Sequence, residues 1–261
     1  MSRYIICFRT LPKLYISKIL RCLSLTNING NLSFDFRFYL YLCIMNKLII
    51  PSKTERLIQK NDFFLTRGHD FIEIGGIKWA TCNIGAKNPA DTGFYFQWGN
   101  TKGYTAEEMI SGKINFSSHS YELNFGEVCH ITNKDILRLN YEHDAAHVNW
   151  GGAWRMPTTE DFLKLASATI HNWIKNYKKS GINGLLFTDI KDKSKQLFLP
   201  AAGYAYGSKI SLMGVDGSCW TSNSVVGRGN TANSIITREI SREWNASDYI
   251  YYGFPIRPIL G

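Results

Sequence analysis

YEHDAAHVNWGGAWRMPTTEDF, residues 141–162, packs four acids, two histidines, two tryptophans, a double glycine and a helix start into one short run. Pro157-Thr158 opens a helix: Thr158 is an N-cap, and Asp161 three residues on completes a capping-box-like pair. Phe162, Leu163, Leu165 and Ala166 supply its apolar face. Just upstream, Trp150-Gly151-Gly152 stops any earlier helix. His143-Asp144-Ala145-Ala146-His147 has the i, i+4 histidine spacing of a zinc-protease helix, with Asp in place of the general-base Glu. Asp is short for that task, and the double glycine leaves little helix to carry the pair. The favoured reading is a polar tie: buried Asp144 and His147 must find partners, and Arg155 or Arg257 are the available charged donors. No metal and no cofactor is expected.

Outward from that run, Phe71–Ile74 and Ile77–Ala80 around Gly75-Gly76 read as a β-hairpin. Asp91–Gly99 is dense in aromatics and reads as core. Residues 100–140 read as a long loop with a short helix at 134–139. Downstream, Trp173 and Tyr177 fall in a less regular segment. Leu185–Ile190 and Gln196–Leu199 read as two strands. From Ser208 short strand-like pieces alternate with Gly, Asn and Ser. Phe254–Ile259 carries two prolines and is expected as an edge or irregular strand. Glycine-rich phosphate loops, a dinucleotide fingerprint and a nucleophile elbow are missing from the sequence.

The chain of 261 residues is 44% hydrophobic and 14% aromatic, enough for a substantial core. Its net charge of +9 is uneven. Residues 1–44 hold six Lys/Arg against one acid, so the remaining 217 residues carry only +4, and nucleic acid is not expected as a partner. Lys13, Lys18 and Arg21 interrupt what would be a signal-peptide core. Phe38–Ile44 is far short of a membrane span. This segment reads either as a basic amphipathic membrane-surface helix or as translation upstream of a start at Met45. Residues 45–69 read as a linker or short helical arm. The six cysteines, Cys7, Cys22, Cys43, Cys82, Cys129 and Cys219, include no CxxC pair and read as mostly buried thiols.

Five blocks then align in order: WATCNIGAKNPADTGFYFQWG (79–99), DAAHVNWGGAWRMPTTEDF (144–162), LFLPAAGYAYGS (197–208), CWTSN (219–223) and IRPI (256–259). Over residues 70–261 they resemble the Fibrobacter succinogenes major paralogous domain family. The resemblance implies an α+β, C-type-lectin-like fold with two short helices, small antiparallel sheets and a long loop-rich region. That architecture is shared with formylglycine-generating enzymes and with the variable proteins of diversity-generating retroelements. It also implies a cell-surface, secreted or phage-borne setting. The chain departs from the family pattern at Tyr249–Gly253, which lacks the usual arginine, and in having no recognisable export signal.

Residues 223–252 are rich in Asn, Ser, Arg, Trp and Tyr, the types that dominate recognition surfaces. Asn223, Arg228, Asn230, Asn233, Arg238, Arg242, Trp244, Asn245 and Tyr249 are the candidate contacts. Asp144, His147, Trp150, Trp154, Arg155, Trp220 and Arg257 are the expected frame. Glu243-Trp244-Asn245 echoes the calcium motif of true C-type lectins, but Ala246 stands where the next aspartate belongs. The expectation is a non-enzymatic module for a surface glycan or protein. The alternatives are a formylglycine-generating-type oxidase using Cys219 and a purely structural interaction domain.

Overall fold

The structure is a computed structural model that describes residues 62–133, 135–227 and 229–261. The chain divides into two units, residues 1–57 and 58–261, and every described residue lies in the second. The expectations for residues 1–61 and for Arg228 fall outside the described residues.

The architecture is mixed α+β, built of small antiparallel sheets with few helices. The hairpin forms as read. Strand β1 (Phe71–Ile74) pairs with β2 (Ile77–Ala80), and both turn glycines take positive φ, 62° and 75°, as a two-residue hairpin turn requires. The aromatic run that follows is core: Tyr95, Phe96 and Trp98 are fully buried. Between 100 and 140 the expected loop is organised instead. It carries α1 (Ala106–Ile110), α2 (Phe125–Val128) and the hairpin β3 (Cys129–Asn133) with β4 (Ile136–Leu139). Where a helix was expected over 134–139, Ile136–Leu139 is thus a strand. Pairing on both sides, to β3 and to β12 (Asn223–Val225), decides it over local propensity.

The central run folds into α3 (Ala145–Trp150), β5 (Trp154–Arg155) and α4 (Thr159–Ala168). The capping box is made: Thr158 Oγ1 accepts the Asp161 amide at 3.2 Å, and Asp161 accepts the Thr158 amide at 2.9 Å. Helix α4 runs straight into β6 (Thr169–Ile174), so Trp173 sits in a strand that the sequence reading missed. With no Gly or Pro between helix and strand, the sequence lacks its usual punctuation there. Strand β6 continues through β7 (Gly184–Asp189) to β8 (Gln196–Pro200) in one three-stranded sheet. A short hairpin pairs β9 (Tyr204–Tyr206) with β10 (Lys209–Ser211). A further sheet has the order β11 (Gly217–Trp220), β13 (Thr231–Thr237), β14 (Arg242–Tyr249), and a register shift near Ser234/Ile236 bends its outer strand.

The C-terminus corrects an expectation. Residues 254–258 are irregular, as the prolines demand. But β15 (Ile259–Leu260) is central, lying between β2 and β5 in the sheet β1-β2-β15-β5. Both prolines precede the paired residues, so neither removes a ladder donor there.

Trp79 and Phe162, with ring centroids 5.0 Å apart, anchor one core with Ile74, Leu165, Phe187 and Ile235. A second core gathers Phe96, Trp98, Trp220 and Phe254. Among the described residues no helix is long and apolar enough to cross a membrane.

Candidate functional site

Two buried polar knots hold the frame. Asp144 is the N-cap of α3. Its carboxylate accepts the amides of Ala146 at 2.9 Å, His147 at 3.0 Å and Met156 at 2.9 Å. These partners correct the expectation of an arginine. Helix starts present free amides, and Asp144 takes two of them plus the first amide after β5. Burial pushes its pKa up, against the pull of those bonds. His143 lies before the cap in a 3₁₀ turn, Tyr141–His143, and His147 lies in α3 after it, so the two rings do not share one helix. Among the described residues no group of three or more His, Cys, Asp or Glu is placed to hold a metal. Asp144→Ala orphans three buried amides and is expected to cost about 3 kcal/mol. Asp144→Asn keeps the accepting Oδ1 and should cost only about 1 kcal/mol. Urea midpoints of the two variants check this.

Arg155, offered as a partner for Asp144, pairs instead with Asp161 at 2.8 Å. Burial alone would raise the Asp161 carboxyl, but the bonds from Arg155 and Thr158 outweigh it and hold it below 3.8. A carboxylate with a depressed folded pKa stabilises the fold above its unfolded pKa, and that stability is lost as pH falls through the folded value. Unfolding free energy should therefore fall with acidification below about pH 4, and less steeply in Arg155→Gln. Denaturant titrations at several pH values measure the slope.

Arg257 forms the second knot and is fully buried. Its guanidinium donates to Asn83 Oδ1 at 2.8 Å and to the carbonyls of Ala80, Thr81 and Phe198. No carboxylate is among these partners. Burial pulls its pKa down to about 10, so it stays charged at neutral pH. Its own amide donates to Cys219 Sγ at 3.3 Å. Burial pushes the Cys219 thiol up to about 12, which leaves it a neutral thiol at physiological pH. The hole beside it, lined by Asn83, Leu199, Gly217 and Pro255 among others, is about 10 Å³, room for one water at most. Among the described residues, this hole offers no substrate-sized space beside the sulfur. Trp154 and Trp220 are fully buried, while Trp150 is half-buried under the His69 ring, 3.7 Å away and nearly parallel.

The candidate contacts divide. Asn223 is buried, and its Oδ1 accepts the Thr159 amide at 2.9 Å, so it fixes the start of α4 and has no face to offer. Asn233 is buried and donates to Asn245. Arg238 is committed to Asp216 through two bonds of 2.9 Å and to Glu243 at 3.2 Å. Trp244 is half-buried, edge-on to His171 at 5.3 Å and against Phe187 at 5.9 Å, so truncating it falls on packing first. Buried Asn223 and Asn233 brace the fold, while half-buried Arg238 and Trp244 are engaged by an ion-pair network and by core rings. Arg242 is half-buried, with an Nε that has no partner. Asn230, Asn245 and Tyr249 are exposed.

Tyr249 leads to a group that the sequence reading did not assemble. It stacks on Tyr251 at 5.0 Å with 13° between planes. Tyr252 stands nearly perpendicular to both, at 82° and 87°. Tyr206 closes on Tyr251 at 6.0 Å and Tyr252 at 5.3 Å, and Tyr204 lies 5.2 Å from Tyr252. The bridge of Ala205 to Gly253 brings the β9 hairpin against the turn after β14, and that of Phe116 to Gly207 ties the same hairpin to the segment between α1 and α2. Tyr206 and Tyr249 keep 46% and 49% of their surface free. Desolvation first, and neighbouring phenols second, raise the pKa of Tyr251, so the ring stays neutral at physiological pH. The signal was in the run Tyr249-Ile250-Tyr251-Tyr252: buried Ile250 pins the turn inward and leaves three tyrosines around it. Tyr204 and Tyr206 lay unnoticed in a block read as frame.

Compared with protein-family models, curated proteins and solved structures, the chain matches none.

Proposed function

We propose that this protein is a non-enzymatic recognition module of C-type-lectin-like architecture, related to the Fibrobacter succinogenes major paralogous domains, that binds a surface glycan or protein. The observation that carries the reading is the tyrosine cluster. Five tyrosines from two separate segments meet at one surface, with Tyr206 and Tyr249 half open. Rigid rings with a polar tip give contact area at low entropic cost, and a fold that only needed to be stable gains little from leaving them wet. Exposed Asn230 and Asn245 add adaptable hydrogen-bonding groups from the neighbouring strand and loop. The oxidase alternative has less support, since Cys219 is a buried neutral thiol.

The variant Tyr249→Ala should weaken retention on cell-wall preparations by about 10-fold. Its melting temperature should stay within about 2 °C of the native protein, because the side chain is exposed. Unchanged retention would remove the face from the reading.

A further inference from the structure

We infer that the tyrosine face takes an uncharged, hydroxyl-rich glycan in preference to an anionic or cationic ligand; this rests on the recognition reading above and specifies its ligand. The cluster itself holds no ionised side chain. The cation–π contacts among the described residues lie elsewhere, at Phe64, Phe71, Tyr104 and Tyr177. Charges of both signs adjoin it. Lys209 is the cross-strand neighbour of Tyr206, and Asp248, bonded to Ser234, acts on Tyr252. Arg238 is already engaged by Asp216 and Glu243. A charged ligand would shed its hydration here without a dedicated counter-charge, which is costly. A neutral sugar does not meet that penalty.

The shape fits the same ligand. Tyr249 and Tyr251 are stacked one on the other, Tyr252 stands at close to a right angle to both, and Tyr249 keeps half its surface free. A pyranose ring presents a face of C–H bonds, weakly positive, to the negative face of such an exposed ring. Its equatorial hydroxyls then point outward, toward phenolic oxygens that both donate and accept. The rim is polar. Asn115 is exposed beside Gly207, the residue that follows Tyr206, and Asn245 is exposed on β14. A protein partner would need roughly 800 Å² per side with an apolar centre. Exposed Phe63, Phe64, Ile131 and Ile240 sit on other elements, whereas exposed Leu212 and Met213 directly follow β10.

The test uses the full-length protein and insoluble plant and bacterial cell walls, each treated with periodate, with protease, or left untreated. Soluble arabinoxylan, mixed-linkage β-glucan, galactomannan and yeast mannan serve as neutral competitors. Polygalacturonate and heparin are the anionic ones, and chitosan the cationic one. The expected result is retention that survives protease, is lost after periodate and yields to at least one neutral glycan. Tyr206→Ala and Tyr251→Ala should each weaken it at least 10-fold, with Tyr206→Phe in between. Retention that needs the tyrosines but is lost to protease and survives periodate would mean a protein ligand: the inference falls and the recognition reading stands. Equal competition by polygalacturonate, heparin or chitosan also overturns it. Retention indifferent to the tyrosine variants, or no retention on any wall, removes both.

Discussion

Arg257→Met is expected to destabilise the fold by about 4 kcal/mol. The methionine would fill much of the space but donate nothing. Asn83 Oδ1 and the carbonyls of Ala80, Thr81 and Phe198 would each lose a donor from a guanidinium that water cannot replace. These acceptors come from the end of β2, the loop after it and β8, so one side chain links the hairpin sheet to the sheet of β6, β7 and β8. Removing a buried charge returns some desolvation energy, which is why the expected cost is well below the sum of the bonds. Arg257→Lys, with a single ammonium in place of the fork, should lose at least half as much, because it cannot span all four acceptors. Chemical denaturation of the two variants reads both values. A cost for methionine below about 1 kcal/mol would mean that the knot is dispensable.

Trp154→Ala is expected to cost roughly 3–5 kcal/mol. The indole is fully buried, stands edge-on to Trp150 at 5.1 Å, and donates its Nε1–H to the Thr66 carbonyl at 2.7 Å. That bond, with the Ala153 amide donating to Leu65 O at 3.0 Å, fastens the arm over residues 62–66 to the central run. Gly152 is part of the same fit: its φ is +61°, and a Cβ there would collide with the Leu65 carbonyl. Trp154→Phe should recover most of the packing and lose the hydrogen bond, at about 1–2 kcal/mol. The arm should then become the first protease-sensitive segment of the described residues, which limited proteolysis at native pH would display.

Much of the frame was legible because its signals are local. Gly75-Gly76 dictated a hairpin turn. Thr158 and Asp161 dictated a helix start. The aromatic run at 94–98 dictated core. The candidate face was less legible because it is assembled across distance. Tyr206 meets Tyr251 and Tyr252 only through the bridge of Ala205 to Gly253, which links residues far apart in sequence. The polar composition of 223–252 was a true feature with mixed meaning. A polar side chain on β13 or β14 reads alike whether it faces solvent or braces the sheet, and Asn233 and Asn245 show both fates in one hydrogen-bonded pair. The β-bulge between Ser234 and Ile236 defeats a simple in–out count along that hairpin. Strand β4 was misread for a related reason, since its type is set by partners on either side rather than by its own residues.

The central claim is a division of labour between a buried frame and a tyrosine face. A saturation scan of the displayed full-length protein, scored in parallel for display level and for cell-wall retention, tests it most directly. Substitutions at Asp144, Trp154, Trp220 and Arg257 should lower display and retention together. Substitutions at Tyr206, Tyr249 and Tyr251 should lower retention at least 10-fold and leave display unchanged. If the tyrosine positions lower display as much as Arg257 does, the cluster is part of the frame and the account is wrong.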